Sequence, residues 1–230
     1  HGVMISRKYL ALPLLFESEY SPGLLIFLAR LPFLAASVLL ALLVWKWSKD
    51  LYGETAGLLS LFLYSFSPLI LAHCRLATPD IILALTMTAA LYVFHRYLRK
   101  PSRKYLFLSG LLLGLALLSK FTALLLIPIF FLVFFLHHVE EHGVEGTKNI
   151  WRSFLKLMLI YFTAFLVVWA GYGFQFGVPF IPGWLQPQAQ RLLQEKPFWK
   201  MAEYLRGRHI PVPAYSYILG IYTQLAAAKG

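Results

Sequence analysis

The chain has 230 residues, of which 59% are hydrophobic, 17% aromatic and 13% charged, with a mean hydropathy of +0.67. Soluble domains are roughly 45–50% apolar and about 25% charged, so this composition excludes an ordinary soluble domain and indicates an integral membrane protein. The net charge of +11 lies in short stretches beside apolar runs, with no nucleic-acid motif, and the single cysteine, Cys74, excludes a disulfide framework and a cysteine-based metal cluster.

The chain starts at His1, shows no signal-peptide pattern and ends without a closing helix signal, so it reads as a piece of a longer protein. A membrane-spanning helix needs roughly 20 apolar residues. Six stretches qualify as candidates: 23–45, 55–72, 81–97, 105–118, 121–136 and 154–172. The fold class this predicts is all-α, a polytopic transmembrane helix bundle. Residues 1–22 form the remainder of an outer loop, 23–172 the helical core, and 173–230 an outer-face loop region. The fourth span is the shortest. It carries Gly110 and Gly114 four residues apart, the spacing that lets a second helix approach closely.

Lysine and arginine orient the spans. Lys46 and Lys49 follow the first; Arg96, Arg99, Lys100, Arg103 and Lys104 follow the third; Lys148, Arg152 and Lys156 follow the fifth. These alternate loops are therefore cytoplasmic. The intervening segments, including 73–80 and the turn at Ser119 and Lys120, face outward. In the cytoplasmic stretch, His137, His138, Glu140, Glu141 and His142 resemble a metal string. They are contiguous rather than spaced on one helix face, so they read as a solvated loop.

The outward segment between the second and third spans carries His73, Cys74, Arg75, Thr78, Pro79 and Asp80. Asp80 is the only carboxylate between Glu54 and Glu140. Ionisable groups near a bilayer are costly and mark functional sites by default. Thr78 and Pro79 read as a helix start, with Thr78 as the cap. Asp80 suits that start too, but its isolation among apolar residues singles it out for chemistry. After the last span the composition changes: Pro179, Pro182, Pro187, Pro197, Pro211 and Pro213 break long helices, and Trp184 and Trp199 suit the membrane interface. Short surface helices are expected over about 186–194 and 197–206.

The ordered set of Arg30-Leu31-Pro32, Leu51-Tyr52-Gly53, Ser67-Pro68, the run 72–80, Gly110 through Gly114 to Ser119-Lys120-Phe121-Thr122, and Pro128 resembles the protein O-mannosyltransferase-like family of GT-C membrane glycosyltransferases. The late stretch 211–220 resembles a segment in the last outer loop of bacterial members. Nearly the whole chain is covered.

The resemblance implies an inverting transfer of a sugar, mannose or another hexose, from a polyprenyl- or dolichyl-phosphate carrier. The acceptor is a protein, lipid or glycan at the periplasmic or lumenal face. It implies a bacterial or archaeal plasma membrane, or the endoplasmic reticulum if the source is eukaryotic. A carboxylate of the first outer loop acts as base in this family. That motif falls before His1, and Glu17 and Glu19 lie too close to the next span to be equated with it. The base is therefore unassigned, and the fragment alone is expected to be inactive. Departure of a phosphate needs fixed positive charge, with arginine as a planar fork and lysine as a point charge. Arg75 and Asp80 are the catalytic candidates, with Asp80 orienting Arg75, binding sugar or acceptor, or holding a divalent ion. Lys120, His73 and Arg30 are the substrate-binding candidates. For Lys120, snorkelling from a helix end is the plain alternative; for His73, it is a local hydrogen bond. One carboxylate does not define a metal site, so no metal or other cofactor is assigned. The competing readings are a lipid-linked-sugar transporter or flippase, disfavoured by charges at helix ends and the lack of an internal repeat, and a non-catalytic membrane scaffold.

Overall fold

The computed structural model describes residues 20–76, 78–142, 150–177 and 212–227. The expected short helices near 186–206, the tryptophans there, and Glu17 and Glu19 lie outside the described residues. The described chain is helical apart from one two-residue strand pairing. It divides into two compact units, His1–Tyr92 and Val93–Gly230.

In the first unit, helix α1 covers Pro22–Tyr52. Ser21 caps it, its hydroxyl accepting from the Leu24 N–H at 3.4 Å, and Pro22 takes the first turn, where no amide hydrogen is needed. Pro32 lies inside the helix and removes one backbone hydrogen bond. Helix α1 runs seven residues beyond Trp45, where the candidate span ended. Lys46 and Lys49 therefore sit in its last turns rather than in a loop, where cations favour the negative dipole end. Lys49 pairs with Glu54, and Lys46 lies 3.9 Å from Asp50. Gly53 alone makes the turn, at φ +90°, a backbone conformation that side chains disfavour.

Helix α2, Glu54–Ser65, folds back along α1: Gly57 meets Trp45 and Lys49, and Tyr64 meets Ser37. The Tyr64 hydroxyl donates to the Ser37 carbonyl at 2.9 Å and lies 3.2 Å from the Ser37 hydroxyl. The candidate span 55–72 is not one helix. Pro68 cannot continue it and drives Ser67 into an extended conformation. The chain restarts as α3, Pro68–Arg75. Helix α4, Asp80–Arg99, then runs parallel to α1. Ile81 packs on Ala36 and Leu40, while near the other end the Tyr92 hydroxyl donates to Asp50 Oδ2 at 2.7 Å and its ring meets Trp47 edge-on.

The second unit starts at the last turns of α4. Helix α5 covers Arg103–Ser119, capped by Ser102; a 3₁₀ turn, Phe121–Leu125, leads into α6, Leu126–His142; α7 covers Ile150–Gly171. Helices α5 and α7 are in intimate contact. A Cβ on Gly110 would lie 2.6 Å from Thr163 Cβ, and one on Gly114 would lie 2.6 Å from Val167 Cβ; Leu118 packs on Gly171. The numbers rise together, so the two helices are parallel, and α6 must return between them. Helix α6 does so. The Tyr161 hydroxyl of α7 donates to the Ile127 carbonyl at the start of α6, while His137 and His138 near its end lie beside Ser153 and Lys156. Val93–Arg99 of α4 runs parallel to α6, with Phe94 stacked on Phe130 at 4.2 Å between centroids.

Within each unit, spans consecutive in sequence thus alternate in direction, as the basic-loop parity requires. Among the described residues, four helical stretches are long and apolar enough to cross a membrane: Pro22–Tyr52, Asp80–Arg99, Phe121–Glu140 and Ser153–Gly171. Of the other two candidates, one is the broken pair α2 and α3. The other, α5, has 17 residues, about 25 Å against a hydrocarbon core of about 30 Å. The protein is an all-α, multi-pass membrane protein.

The glycine seam gives a direct test. Gly114→Ala should destabilise the detergent-solubilised protein by about 1–3 kcal/mol, because the new methyl group has nowhere to go. Adding Val167→Ala should leave most of that loss in place, because the Val167 Cβ and the Ala164 carbonyl that crowd the new methyl group both remain. Thermal unfolding followed by circular dichroism measures both; an unaltered melting temperature in Gly114→Ala would show that the seam is loose.

Candidate functional site

In the first unit, α3 ends at Arg75 and α4 begins at Asp80. The Pro79 carbonyl accepts the first helical bond from the Leu83 N–H at 2.9 Å, so the helix starts one residue later than a Thr78 cap would set it. Thr78 does not cap: its hydroxyl is buried and makes no hydrogen bond among the described residues. Asp80 stands in the first turn of α4, where its charge meets the positive end of the dipole. His73 Nδ1 lies 4.0 Å from Asp80 Oδ2, with the two side chains 35% and 39% exposed. That is too long for a hydrogen bond, and the exposure keeps the attraction small. The local hydrogen bond expected of His73 is not made to Asp80. The pair sets a carboxylate beside an imidazole at the start of α4.

Of the five sequence-selected residues, His73 and Asp80 are therefore brought together. Arg75 is the last residue of α3, and its side chain lies outside the described atoms. Arg30 is exposed on the first half of α1, and no described residue pairs with it.

Lys120 belongs to the second unit. It is the extended residue after α5, its N–H bonded to Ala116 and its carbonyl accepting from the Ala123 N–H at 3.0 Å, and its side chain is exposed. The turn it occupies is held by a helix that sequence reasoning did not foresee, α8, Tyr215–Ala227. Residues Phe176–Gly177 and Val212–Pro213 pair as short antiparallel strands and bring α8 against the end of α5. The Tyr217 hydroxyl donates to the Leu117 carbonyl at 3.2 Å, one of the last carbonyls of α5 that no helical amide reaches. The Phe121 ring packs on Tyr217 and presses against Gly220. Burial, with Tyr172 alongside, pushes the Tyr217 phenol up to about 12, so it remains a neutral donor at any physiological pH. The signal in the sequence was the apolar spacing of Tyr217, Ile218 and Ile221 around Gly220.

Between α5, the 3₁₀ turn, α7 and α8 lies a cavity of about 390 Å³. Leu117 and Leu124, which flank Lys120 in sequence, both line it, with Phe165, Val168 and Ile218. Its exposed lining is apolar throughout. Tyr161 and Tyr217 border it, but their hydroxyls are committed to the Ile127 and Leu117 carbonyls, so they present ring faces.

The histidine-rich stretch is not a loop: 137–142 continues α6. His138 is buried and stacks with Phe134, and the His137 ring bonds to the Leu98 carbonyl at 3.2 Å. No group of three His, Cys, Asp or Glu side chains able to hold a metal occurs among the described residues.

The family described as dolichyl-phosphate-mannose-protein mannosyltransferase matches residues 23–172. The chain belongs to that family. Neither a curated protein nor a solved structure matches it. Membership makes the chain a membrane glycosyltransferase of the mannosyltransferase type, drawing in general on a lipid-linked sugar donor and a protein acceptor.

The direction of the helices in the second unit carries a prediction for this mannosyltransferase-family chain. Ser102 starts α5, and Ser216 lies on α8 beside the opposite end of α5. In a Cys74→Ser background, Ser102→Cys and Ser216→Cys should react with a membrane-impermeant maleimide from opposite sides of sealed vesicles. Labelling from the same side would reverse the assignment of faces.

Proposed function

We propose that the chain carries the donor-handling part of an inverting hexosyltransferase, in which a polyprenyl- or dolichyl-phosphate sugar is used at the periplasmic or lumenal face. The observation that carries this reading is the apolar cavity beside Lys120. At about 390 Å³ it falls in the size range of ligand sites. An isoprenoid chain offers only hydrocarbon and needs no polar partner, and the lining provides none. A carrier chain seated there leaves its phosphate at the level of Lys120, a point charge suited to it.

In the reaction proposed, an acceptor hydroxyl oxygen attacks the sugar's anomeric carbon from the side opposite the phosphate. The bond from that carbon to the phosphate oxygen breaks, and polyprenyl phosphate leaves with the bonding pair. The hydroxyl proton passes to a general base. Negative charge grows on the phosphate oxygens, so cations positioned there before reaction lower the barrier. Independently of the Lys120 site, Arg75 of the first unit is assigned a phosphate-binding role as a two-pronged donor, and Asp80 orients Arg75 or the sugar, with His73 beside it. Arg30 binds substrate from α1. Mannose is the hexose that the family name supports, and a protein hydroxyl is the acceptor class.

Two experiments on the full-length protein in nanodiscs test this reading. Asp80→Asn keeps size and removes charge; turnover should fall at least about tenfold, ~1.4 kcal/mol of transition-state stabilisation, with unaltered expression. Near-normal transfer would leave Asp80 with only its first-turn role. Leu124→Trp fills the cavity. It should raise KM for a long-chain polyprenyl donor about tenfold while leaving a short-chain analogue nearly unaffected, and Lys120→Met should weaken both donors alike. Equal effects of Leu124→Trp on the two chain lengths would remove the cavity from donor binding.

A further inference from the structure

A second cavity lies at the other end of the second unit. It has a volume of about 460 Å³ and is formed where the last turns of α4 meet the C-terminal half of α6. From α4 come His95, Leu98 and Arg99; from α6 come Leu136, His137 and Glu140. It belongs to the basic-loop face, since Phe121 and the α8 contacts mark the opposite end of α5 and α6.

The wall of this cavity is built rather than incidental. Leu98 lies in the last turn of α4, where carbonyls have no helical amide to accept from. The His137 ring fills that role at 3.2 Å. A carbonyl can only accept, so Nε2 carries a proton. This bond ties α6 to α4 at the mouth.

Among the described residues, the charge on the chain leading away from the cavity is strongly one-sided. Arg96, Arg99, Lys100, Arg103 and Lys104 follow one another along the end of α4 and the start of α5. Lys156 of α7 lines a smaller cavity on the other side of His137. Against these, Glu140 is the carboxylate that lines the site. Arg96 is engaged with Tyr105, through a hydrogen bond of 3.4 Å and through the ring face. Arg99 and Lys100 are exposed.

The surface next to the cavity is apolar. Leu132, Phe135 and Leu136 of α6 are exposed, at 54%, 45% and 57%. Cations at a helix end, directly against exposed hydrocarbon, match a molecule with an anionic head and a hydrocarbon tail. Basic clusters at the cytoplasmic ends of membrane helices attract anionic lipid in this way.

We infer that the cleft between the end of α4 and α6 is a binding site for an anionic phospholipid of the cytoplasmic leaflet, with phosphatidylglycerol chemistry. Arg99 and Lys100 take the phosphodiester. Glu140 accepts hydrogen bonds from the headgroup hydroxyls, a role that makes a carboxylate useful in an otherwise cationic mouth. One acyl chain lies along Leu136, Phe135 and Leu132. The site is remote from the donor cavity beside Lys120 and depends only on the basic face being cytoplasmic, not on the transferase reading.

The test uses the full-length protein reconstituted in nanodiscs of equal parts phosphatidylglycerol and phosphatidylcholine. Lipid retained through gentle detergent extraction is identified by mass spectrometry, and affinity is read with a fluorescent phosphatidylglycerol. Phosphatidylglycerol should be enriched over phosphatidylcholine. Removing a cation near the membrane surface costs about fivefold, so Arg99→Gln with Lys100→Gln should weaken binding by about twentyfold or more. Arg99→Lys should keep most of it, which separates lost charge from lost folding. Equal retention of the two lipids, or wild-type affinity in the double variant, would overturn the site. Competition by soluble glycerophosphoglycerol as effective as by the lipid would overturn the lipid assignment in favour of a free anion. Sugar transfer is measured separately; a protein that binds phosphatidylglycerol selectively but transfers no sugar contradicts the proposed function and leaves this inference standing.

Discussion

The parallel contact of α5 with α7 governs the second unit. In a bilayer the hydrophobic effect does not drive one apolar helix onto another, because lipid tails are as apolar as leucine. Close packing and polar contacts must do so instead. Gly110 and Gly114 let the α7 backbone approach until a single added methyl group would overlap Thr163 or Val167. Two consecutive apolar helices joined by a short turn run antiparallel, so a parallel pair needs a third helix between them in sequence. Helix α6 meets that need. Its return path places the Lys120 turn at one end and the His137 stretch at the other.

A second device recurs throughout: a side-chain hydroxyl or ring nitrogen donates to a helix carbonyl of a neighbouring element. Tyr64 does so to Ser37, Tyr161 to Ile127, Tyr217 to Leu117 and His137 to Leu98. Each bond is modest, about 0.6 kcal/mol on average in measured membrane cases. Each is nonetheless directional and ties one helix to a particular turn of another. An exposed polar atom in hydrocarbon is costly, so burying these donors against carbonyls settles their own requirement as well. At Tyr217 and Tyr161 the consequence is chemical. With the hydroxyls turned to backbone, the cavity between them is left purely apolar and suited to a hydrocarbon ligand.

The polar residues divide by environment. His73 and Asp80 are partly exposed side chains at a helix start. His137 and His138 belong to helix packing, one bonding a carbonyl and the other buried against Phe134. Residue type alone would rank the histidine stretch above Asp80 as a site. Position on the helix reverses the order, since contiguous histidines on one helix point in different directions and those at 137 and 138 meet different neighbours.

Composition and hydropathy alone determined that the chain is an all-α membrane protein. The Lys and Arg spacing predicted an alternation that the helix directions in each unit follow, because orientation is set by charge local to each helix end. Gly110 and Gly114 were legible as a packing seam, because four-residue spacing places them on one helix face. Asp80 stood out by isolation alone. Where helices end was less legible. Hydropathy does not register that α1 continues through two lysines to Tyr52, that Pro68 breaks the second candidate span, or that the helix containing Asp80 starts without a Thr78 cap. These depend on backbone geometry and on hydrogen-bond partners. The apolar cavity, the docking of α8 on the Lys120 turn and the cleft at His137 were not readable at all. Each is made by residues far apart in sequence, Leu117 with Tyr217 or Leu98 with His137, and no local pattern records which distant carbonyl a hydroxyl or imidazole will reach. Only the tertiary structure, by bringing those groups within hydrogen-bonding distance, decided where the chain leaves room for a ligand.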